Sequence, residues 1–129
     1  MQIDGQTPYA RLGGLTVVRQ IVEKFYQLLD QDTRYSAVRA LHGADLAATR
    51  QGLLEFLAGW LGGPPLYFQR PQNRCVMSAH AKVPIGAGEM QQWLDCMAQS
   101  LQDCGVEQRL ALRIQDALER MARRMRNKP

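Results

Sequence analysis

The feature that most constrains the fold is an apolar pattern with the period of an α-helix, which returns four times along the chain. Within residues 15–30 it is formed by seven apolar side chains: Val17, Val18, Ile21, Val22, Phe25, Leu28 and Leu29. Side chains spaced by three and four positions share one face of a helix, so the pattern predicts an amphipathic helix. Comparable patterns follow Asp45, which we expect to cap the second helix, and span residues 88–102 and 106–126.

Glycine and proline residues separate the helices and mark the irregular parts of the chain. Gly13-Gly14 ends a short helical turn, and Gly62–Pro65 ends the second long helix. A short helix is expected at residues 37–41, whereas residues 66–87 are so interrupted that only 74–81 favours a helix. No segment alternates apolar and polar residues as a strand does. The sequence therefore predicts an all-α fold with one irregular segment, and such segments often carry function.

Length and composition indicate one soluble domain that comprises residues 1–129. Hydrophobic residues make up 46% and charged residues 22%, which is typical of a globular protein. The longest uncharged run, Phe56–Gln69, has 14 residues and contains several glycines and prolines, so we do not expect it to cross a membrane. The first residues lack the basic and apolar blocks of a secretory signal, and we expect a cytoplasmic location.

The positive charge is concentrated at the C-terminal end. The formal net charge is +4, but residues 120–129 hold five basic residues and no acidic one, which leaves 11 basic and 12 acidic residues elsewhere. A basic segment here complements the dipole of the last helix and aids solubility. This distribution argues against nucleic acid as the partner, since that would favour a basic patch across the fold. The basic C-terminal tail, residues 120–129, remains a candidate contact for a protein partner.

Cysteine and histidine spacing excludes the familiar metal and nucleophile motifs. Cys75, Cys96 and Cys104 form no CxxC pair, so we expect reduced thiols, with Cys96 in the core. His42 and His80 are 38 residues apart, and spacing alone does not bring either beside a cysteine. A lone histidine is more often structural than a ligand. A haem iron is the exception, because the porphyrin supplies four nitrogens and one imidazole completes the site.

Six sequence motifs occur in one order that is familiar from a single family. They are Gly13-Gly14, Phe25-Tyr26, Leu41-His-Gly-Ala-Asp-Leu46, Phe56-Leu-Ala-Gly-Trp-Leu-Gly-Gly-Pro-Pro-Leu-Tyr67, His80-Ala-Lys-Val-Pro-Ile-Gly86 and Trp93-Leu-Asp-Cys-Met97. Each motif alone is a modest signal. Together, from Tyr9 to Leu101, the chain resembles the truncated (2-over-2) haemoglobins, and within them the second group.

The resemblance implies a truncated-globin fold in which two pairs of helices enclose haem b. His80 matches the proximal iron ligand of the family. Tyr26, His42 and Trp93 match polar residues on the distal side, where a phenol and an indole donate hydrogen bonds and an imidazole donates or accepts. Three such groups would favour tight retention or activation of oxygen over its rapid delivery.

The resemblance also implies a set of haem contacts. These are Phe25, Thr49, Leu53, Phe56, Tyr67, Val76, Ala79, Val83, Ile85 and Met97. Helical spacing alone would assign Tyr26, Phe56 and Trp93 to an ordinary core. Ala79 and Gly52 stand where the family often has basic residues that pair with the haem propionates. The nearby candidate replacements are the cations Arg50, Arg74 and Lys82.

A polar distal pocket implies three kinds of chemistry. These are reversible binding of O2, NO or CO, detoxification of nitric oxide, and peroxide reduction. The last two would make the protein an enzyme, which needs a reductase that the sequence does not identify. The same pocket also suits three functions without turnover. These are oxygen transport, haem-based sensing, and the role of a redox partner that acts through a protein contact. A helical adaptor or nucleic-acid module without a cofactor is the remaining alternative, and it would be colourless.

Overall fold

The computed structural model describes residues 6–69 and 83–127, which form six α-helices and two 3-10 turns. The helices are α1 (Pro8–Leu12), α2 (Leu15–Gln31), α3 (Ser36–Ala40), α4 (Ala47–Trp60), α5 (Ala87–Asp103) and α6 (Gln108–Met125), and the 3-10 turns are Thr33–Tyr35 and Tyr67–Gln69. This part of the chain contains no β-strand, and none of its helices is both long and apolar enough to cross a membrane. The predicted all-α fold is confirmed, with the four long helices where the apolar period placed them.

Two pairs of long helices build the domain. α2 packs against α4, α5 packs against α6, and the two pairs meet where α2 lies against α5. The side chains that fill the junction are apolar and repeat at helical spacing: Val18, Ile21, Val22, Phe25 and Leu29 of α2, Leu54 and Leu57 of α4, Leu94, Met97 and Leu101 of α5, and Leu110, Ile114 and Leu118 of α6. The arrangement is the predicted 2-over-2 sandwich. Cys96 lies in this core, fully buried as expected, and burial raises the pKa of its thiol to about 12.

Side chains near the helix ends fix where α4 and α6 begin. α4 begins one residue later than predicted, so Leu46 occupies the N-cap position; Asp45 nevertheless accepts a hydrogen bond from the Ala47 amide at 2.9 Å. At the start of α6, Glu107 accepts bonds from the Arg109 and Leu110 amides at 3.0 and 2.9 Å. These two bonds lower the pKa of Glu107.

The glycine pair that ends α4 allows α1 to approach closely. The Tyr9 amide donates to the Leu61 carbonyl at 2.9 Å, which seats α1 on the end of α4. A Cβ at Gly63 would lie 2.5 Å from the Tyr9 ring, and Gly62 has a positive φ of 101°. Only glycine fits both the contact and the backbone, which explains this part of the Phe56–Tyr67 motif in physical terms.

The first six residues of the basic C-terminal tail belong to a helix. Residues 120–125 form the last turns of α6. Beyond them, Asn127 is tied to residues 83–85: its amide donates to the Ile85 carbonyl at 2.9 Å, its side-chain oxygen accepts from the Ile85 amide at 2.8 Å, and its side-chain nitrogen donates to the Val83 carbonyl at 2.7 Å. Three hydrogen bonds thus join two parts of the chain that are more than 40 residues apart in sequence.

Candidate functional site

Tyr26 of α2 places a phenol in the interior of the domain. The residue is 2% exposed, and burial raises the pKa of its phenol far above the ordinary value. The group is therefore protonated and can donate a hydrogen bond. Among the described residues its hydroxyl has no hydrogen-bond partner. A neutral phenol that no described residue occupies is available to donate to an acceptor that binds beside it.

Phe25 connects Tyr26 to Trp93. The ring centroids of Phe25 and Tyr26 are 5.1 Å apart in an edge-to-face arrangement, and those of Phe25 and Trp93 are 5.2 Å apart. Phe25 is fully buried, and its carbonyl accepts a bond from the Cys96 thiol at 3.4 Å. Because α2 and α5 cross here, the two predicted distal donors, which are 67 residues apart in sequence, flank one aromatic ring.

His42 lies on the other side of Tyr26, in the corner between α3 and α4. Its ring is edge-on to that of Tyr26 at a centroid distance of 6.2 Å. Its Nδ1 is 2.9 Å from the Val38 carbonyl, and the Val38 amide donates to the Gln92 side chain at 3.1 Å, which links the corner to α5. A carbonyl only accepts, so Nδ1 carries the proton, and Nε2 of a neutral ring is an acceptor. The sequence left both roles open, and the structure assigns Nδ1 the donor role.

Arg50 of α4 is a neighbour of Tyr26 that the predicted distal set did not include. Its guanidinium carbon lies 5.8 Å from the centroid of the Tyr26 ring, and its Nε is 3.8 Å from a Glu23 carboxylate oxygen. The positive charge lowers the pKa of Tyr26, against the larger effect of burial. Sequence analysis gave Arg50 only as a possible substitute at a propionate. Glu23 lies three residues before Tyr26, on the same face of α2, and this spacing was the available signal that a cation such as Arg50 lies near Tyr26.

The predicted apolar contacts on α4 and beyond occupy different environments. Phe56 is 8% exposed, and its ring stacks on that of Trp60 at 6.4 Å and meets that of Tyr67 edge-on at 5.6 Å. Leu53 is half-buried against the core, whereas Thr49 is exposed. The structure thus brings Phe56 and Tyr67 together, a contact that the sequence did not predict.

The remaining predicted contacts fall into three groups: a buried residue, the segment of residues 83–85, which we call the connector, and residues outside the described part of the chain. Met97 is buried in the core. Val83 and Ile85 are half-buried in the segment bonded to Asn127. Five candidates lie outside the described residues, and their assignments stay predictions. They are Val76, Ala79, the predicted ligand His80, and the candidate cations Arg74 and Lys82.

Comparisons with known proteins agree on one family. A family model described as bacterial-like globin matches residues 7–127. The group 2 truncated hemoglobin YjbI of Bacillus subtilis is 28% identical over 120 residues, which cover 93% of this chain and 88% of that protein. The solved group II 2-on-2 hemoglobin from Agrobacterium tumefaciens is 31% identical, with a TM-score of 0.92 over 100% of both chains. This chain belongs to the group II truncated haemoglobins.

Other solved truncated haemoglobins share the same architecture. The cold-adapted truncated hemoglobin of the Antarctic bacterium Pseudoalteromonas haloplanktis TAC125 is 28% identical and covers 96% of this chain, with a TM-score of 0.90. The family resemblance and the 2-over-2 fold predicted from the sequence are therefore confirmed.

Haem is the cofactor of this truncated haemoglobin, as of the globins it matches. The residues present fit it. The phenol of Tyr26 has no acceptor among the described residues, and a ligand bound to a haem iron beside it would provide one. The aromatic group of Phe56 and Tyr67 offers the apolar surface that a porphyrin requires.

Proposed function

We propose that this truncated haemoglobin binds O2 reversibly at a haem iron ligated by His80 and releases it slowly. The observation that carries the proposal is the phenol of Tyr26, which is neutral, nearly buried and without a hydrogen-bond partner among the described residues. Haem, when bound, supplies an iron that takes up diatomic ligands. Besides O2, we expect NO and CO to bind. The chain's own residues then decide how tightly the ligand is held.

Tyr26 and Trp93 act as the two donors on the distal side. Their rings flank Phe25, so the packing of one buried residue orients both. His42, with Nδ1 donating to Val38, presents an acceptor when neutral and a second donor only when protonated. We therefore assign retention to the phenol and the indole, and a supporting role beside Tyr26 to His42.

Two hydrogen bonds are sufficient for slow release. A hydrogen bond to a charged or polarised ligand contributes about 1.5–3 kcal/mol, and two such bonds would slow dissociation on the order of 10² or more. A structural relative agrees with this direction. The truncated haemoglobin of Bacillus subtilis, 28% identical with a TM-score of 0.85, is described as oxygen-avid.

The same pocket suits reactions as well as storage. A ligand held by two donors favours nitric oxide detoxification or peroxide reduction over oxygen transport, since transport requires prompt release. Either reaction consumes electrons, so the proposal includes a reductase partner. We place the protein in the cytoplasm, where reducing partners and reduced thiols are expected.

The test compares the O2 dissociation rate of the oxygenated protein with that of its variants. Tyr26→Phe and Trp93→Phe should each accelerate release by tenfold or more, because each removes one donor. Tyr35→Phe is the matched control, since Tyr35 is also buried (3% exposed) but is not part of the site. Unchanged release from both site variants would refute tight retention. Separately, His80→Ala should abolish the Soret spectrum of a five-coordinate histidine complex, and retention of that spectrum would refute the ligand assignment.

One observation favours a second function, that of a sensor acting through a protein contact. Asn127, at the end of the basic segment, is bonded to Val83 and Ile85, which the resemblance places in the haem slot. A partner that displaced residues 126–129 would break these bonds and disturb that side of the haem. Deleting residues 126–129 removes Asn127 but no residue of α6, which ends at Met125. If the Asn127 bonds couple the C-terminal end to the haem, as a sensor requires, the deletion should change the Soret spectrum of the haem-loaded protein. An unchanged spectrum and an unchanged O2 dissociation rate would refute the sensor.

A further inference from the structure

A groove between the end of α4 and one side of α6 is separate from the site described above. Its volume is about 600 Å³, and its lining comprises one residue of α4 and six of α6: Trp60, Arg113, Asp116, Ala117, Arg120, Met121 and Arg124. The volume lies in the range of sites that bind ligands. An indole and a thioether supply apolar surface, and three guanidinium groups face a single carboxylate.

The charges in the groove are incompletely compensated. Arg109, Arg113, Arg120 and Arg124 recur at spacings of four, seven and four residues, which places them in one stripe along α6. Arg120 pairs with Asp116 at 2.9 Å. Arg113 and Arg124 form no ion pair with any described residue. Two guanidinium groups that pair with no acid in the described part of the chain, beside an indole, are suited to an anionic surface.

The whole molecule is electrically polarised toward this helix. α6 carries five arginines and two acidic residues, a net charge of 5 − 2 = +3. Residues 1–107 carry nine basic and ten acidic residues, a net charge of −1. Such a dipole orients an approaching acidic protein toward α6 and speeds its association. A long polyanion that wrapped the domain would gain less, because the remaining surface is slightly negative.

The groove also lies one aromatic contact away from the haem slot. The Trp60 ring stacks on that of Phe56, with a centroid distance of 6.4 Å and an interplanar angle of 19°. Phe56 is one of the predicted porphyrin contacts. A carrier protein seated on Trp60 would therefore touch a ring that itself stacks on a predicted porphyrin contact, which would shorten the path of an electron toward the proposed haem slot.

We propose that this groove docks the acidic face of a one-electron carrier protein, with Arg113 and Arg124 as charged contacts and Trp60 as the apolar anchor. The carrier's redox centre is oxidised by one electron, the haem iron is reduced from ferric to ferrous, and no atom is transferred. The proposal rests on the proposed function, because it names the partner that oxidised haem requires for renewed O2 binding.

The binding test uses the ferric, haem-loaded protein and an acidic plant-type [2Fe–2S] ferredoxin as the probe. Calorimetry at low and high salt measures the Kd of the wild type, Arg113→Gln/Arg124→Gln, Trp60→Ala and Arg123→Gln. Arg123 is the matched control, since it is exposed on the same helix but paired with Glu119 and absent from the groove lining. The double variant and Trp60→Ala should each weaken binding about tenfold at low salt, and Arg123→Gln less than twofold.

The kinetic test adds the ferredoxin in reduced form, freed of excess reductant, and follows the Soret shift. The rate of haem reduction should fall with the Kd in the double variant and should fall in wild type as salt rises. Equal effects of the double variant and Arg123→Gln would overturn the proposal. Occupation of the groove by a second copy of the chain, seen as self-association that Arg113→Gln/Arg124→Gln abolishes, would also overturn it.

The outcome is independent of O2 retention. Arg113→Gln/Arg124→Gln should leave the Soret spectrum and the O2 dissociation rate unchanged, because neither residue lies in the distal site. Fast O2 release with normal docking would refute only the proposed function, and slow release without docking would refute only this proposal.

Discussion

The aromatic wall, which we propose forms the distal side, and the connector at residues 83–85 are held in place by different forces. The wall, formed by Phe25, Tyr26 and Trp93, is fixed by ring packing inside the core. The connector, residues 83–85, is fixed by hydrogen bonds to Asn127 near the protein surface. A wall built by burial keeps its geometry whatever binds outside, whereas a connector held by a few surface bonds responds to what touches the C-terminal end.

This difference in the forces that hold the two regions supports the two tasks that we propose for them. Retention of a ligand requires donors that do not move, and buried rings meet that requirement since interiors are densely packed. Responsiveness requires bonds that a partner can replace, and exposed hydrogen bonds meet that requirement because water competes for them. The following variants test this division, beginning with the largest expected effect.

Truncation of Phe25 should cause the largest loss of stability. Phe25→Ala removes a fully buried ring that contacts both Tyr26 and Trp93, so we expect the free energy of unfolding to fall by about 3–5 kcal/mol. Urea denaturation measures the change. Leu112→Ala is the control, because Leu112 is 62% exposed and should change stability by less than about 0.5 kcal/mol.

Phe25→Leu extends this test to a variant that retains most of the core. It should accelerate O2 release while preserving the fold, since the flanking donors lose the ring that orients them. A loss below about 1 kcal/mol for Phe25→Ala would show that the wall is not fixed by packing.

Replacement of Asn127 should have a smaller and more local effect. Asn127→Ala removes the side-chain bonds to Ile85 and Val83, and we expect a loss of about 1–2 kcal/mol. Asn127→Asp keeps an acceptor for the Ile85 amide but loses the donor to Val83. Hydrogen exchange at the Ile85 amide should therefore speed up strongly in Asn127→Ala and much less in Asn127→Asp. Equal exchange in wild type and Asn127→Ala would show that these bonds do not hold the connector.

The sequence was most informative where a contact follows from helical period. The seven apolar positions of residues 15–30 predicted both the helix and the face that packs in the core, because period and burial have the same cause. The prediction of Asp45 as the N-cap of α4 was wrong by one residue, because the first turn of a helix depends on local geometry. Tyr26 and Trp93 were recognised as a pair only through the family resemblance.

Contacts between distant segments had no local signal. Nothing in the sequence places Asn127 against Ile85, because a single polar residue near a terminus matches no pattern. The groove beside Trp60 likewise depends on how far α4 and α6 lie apart, and the arginine spacing alone is that of any solvated helix face. These features arise from tertiary packing, which residue spacing does not encode.

Substitution of Arg50 should have the smallest effect on stability. It tests whether Arg50 belongs to the aromatic wall or to a surface ion pair. Its guanidinium lies over the Tyr26 ring, as part of the wall, and beside Glu23, as a surface ion pair. A double-mutant cycle of Arg50→Met with Tyr26→Leu should give a coupling of about 0.5–1 kcal/mol if the ring contact dominates. The cycle with Glu23→Gln should give less than about 0.5 kcal/mol and vanish in 1 M salt, because both partners are substantially exposed, at 40% and 54%. The opposite ranking would place Arg50 on the surface and leave the wall to its aromatic residues alone.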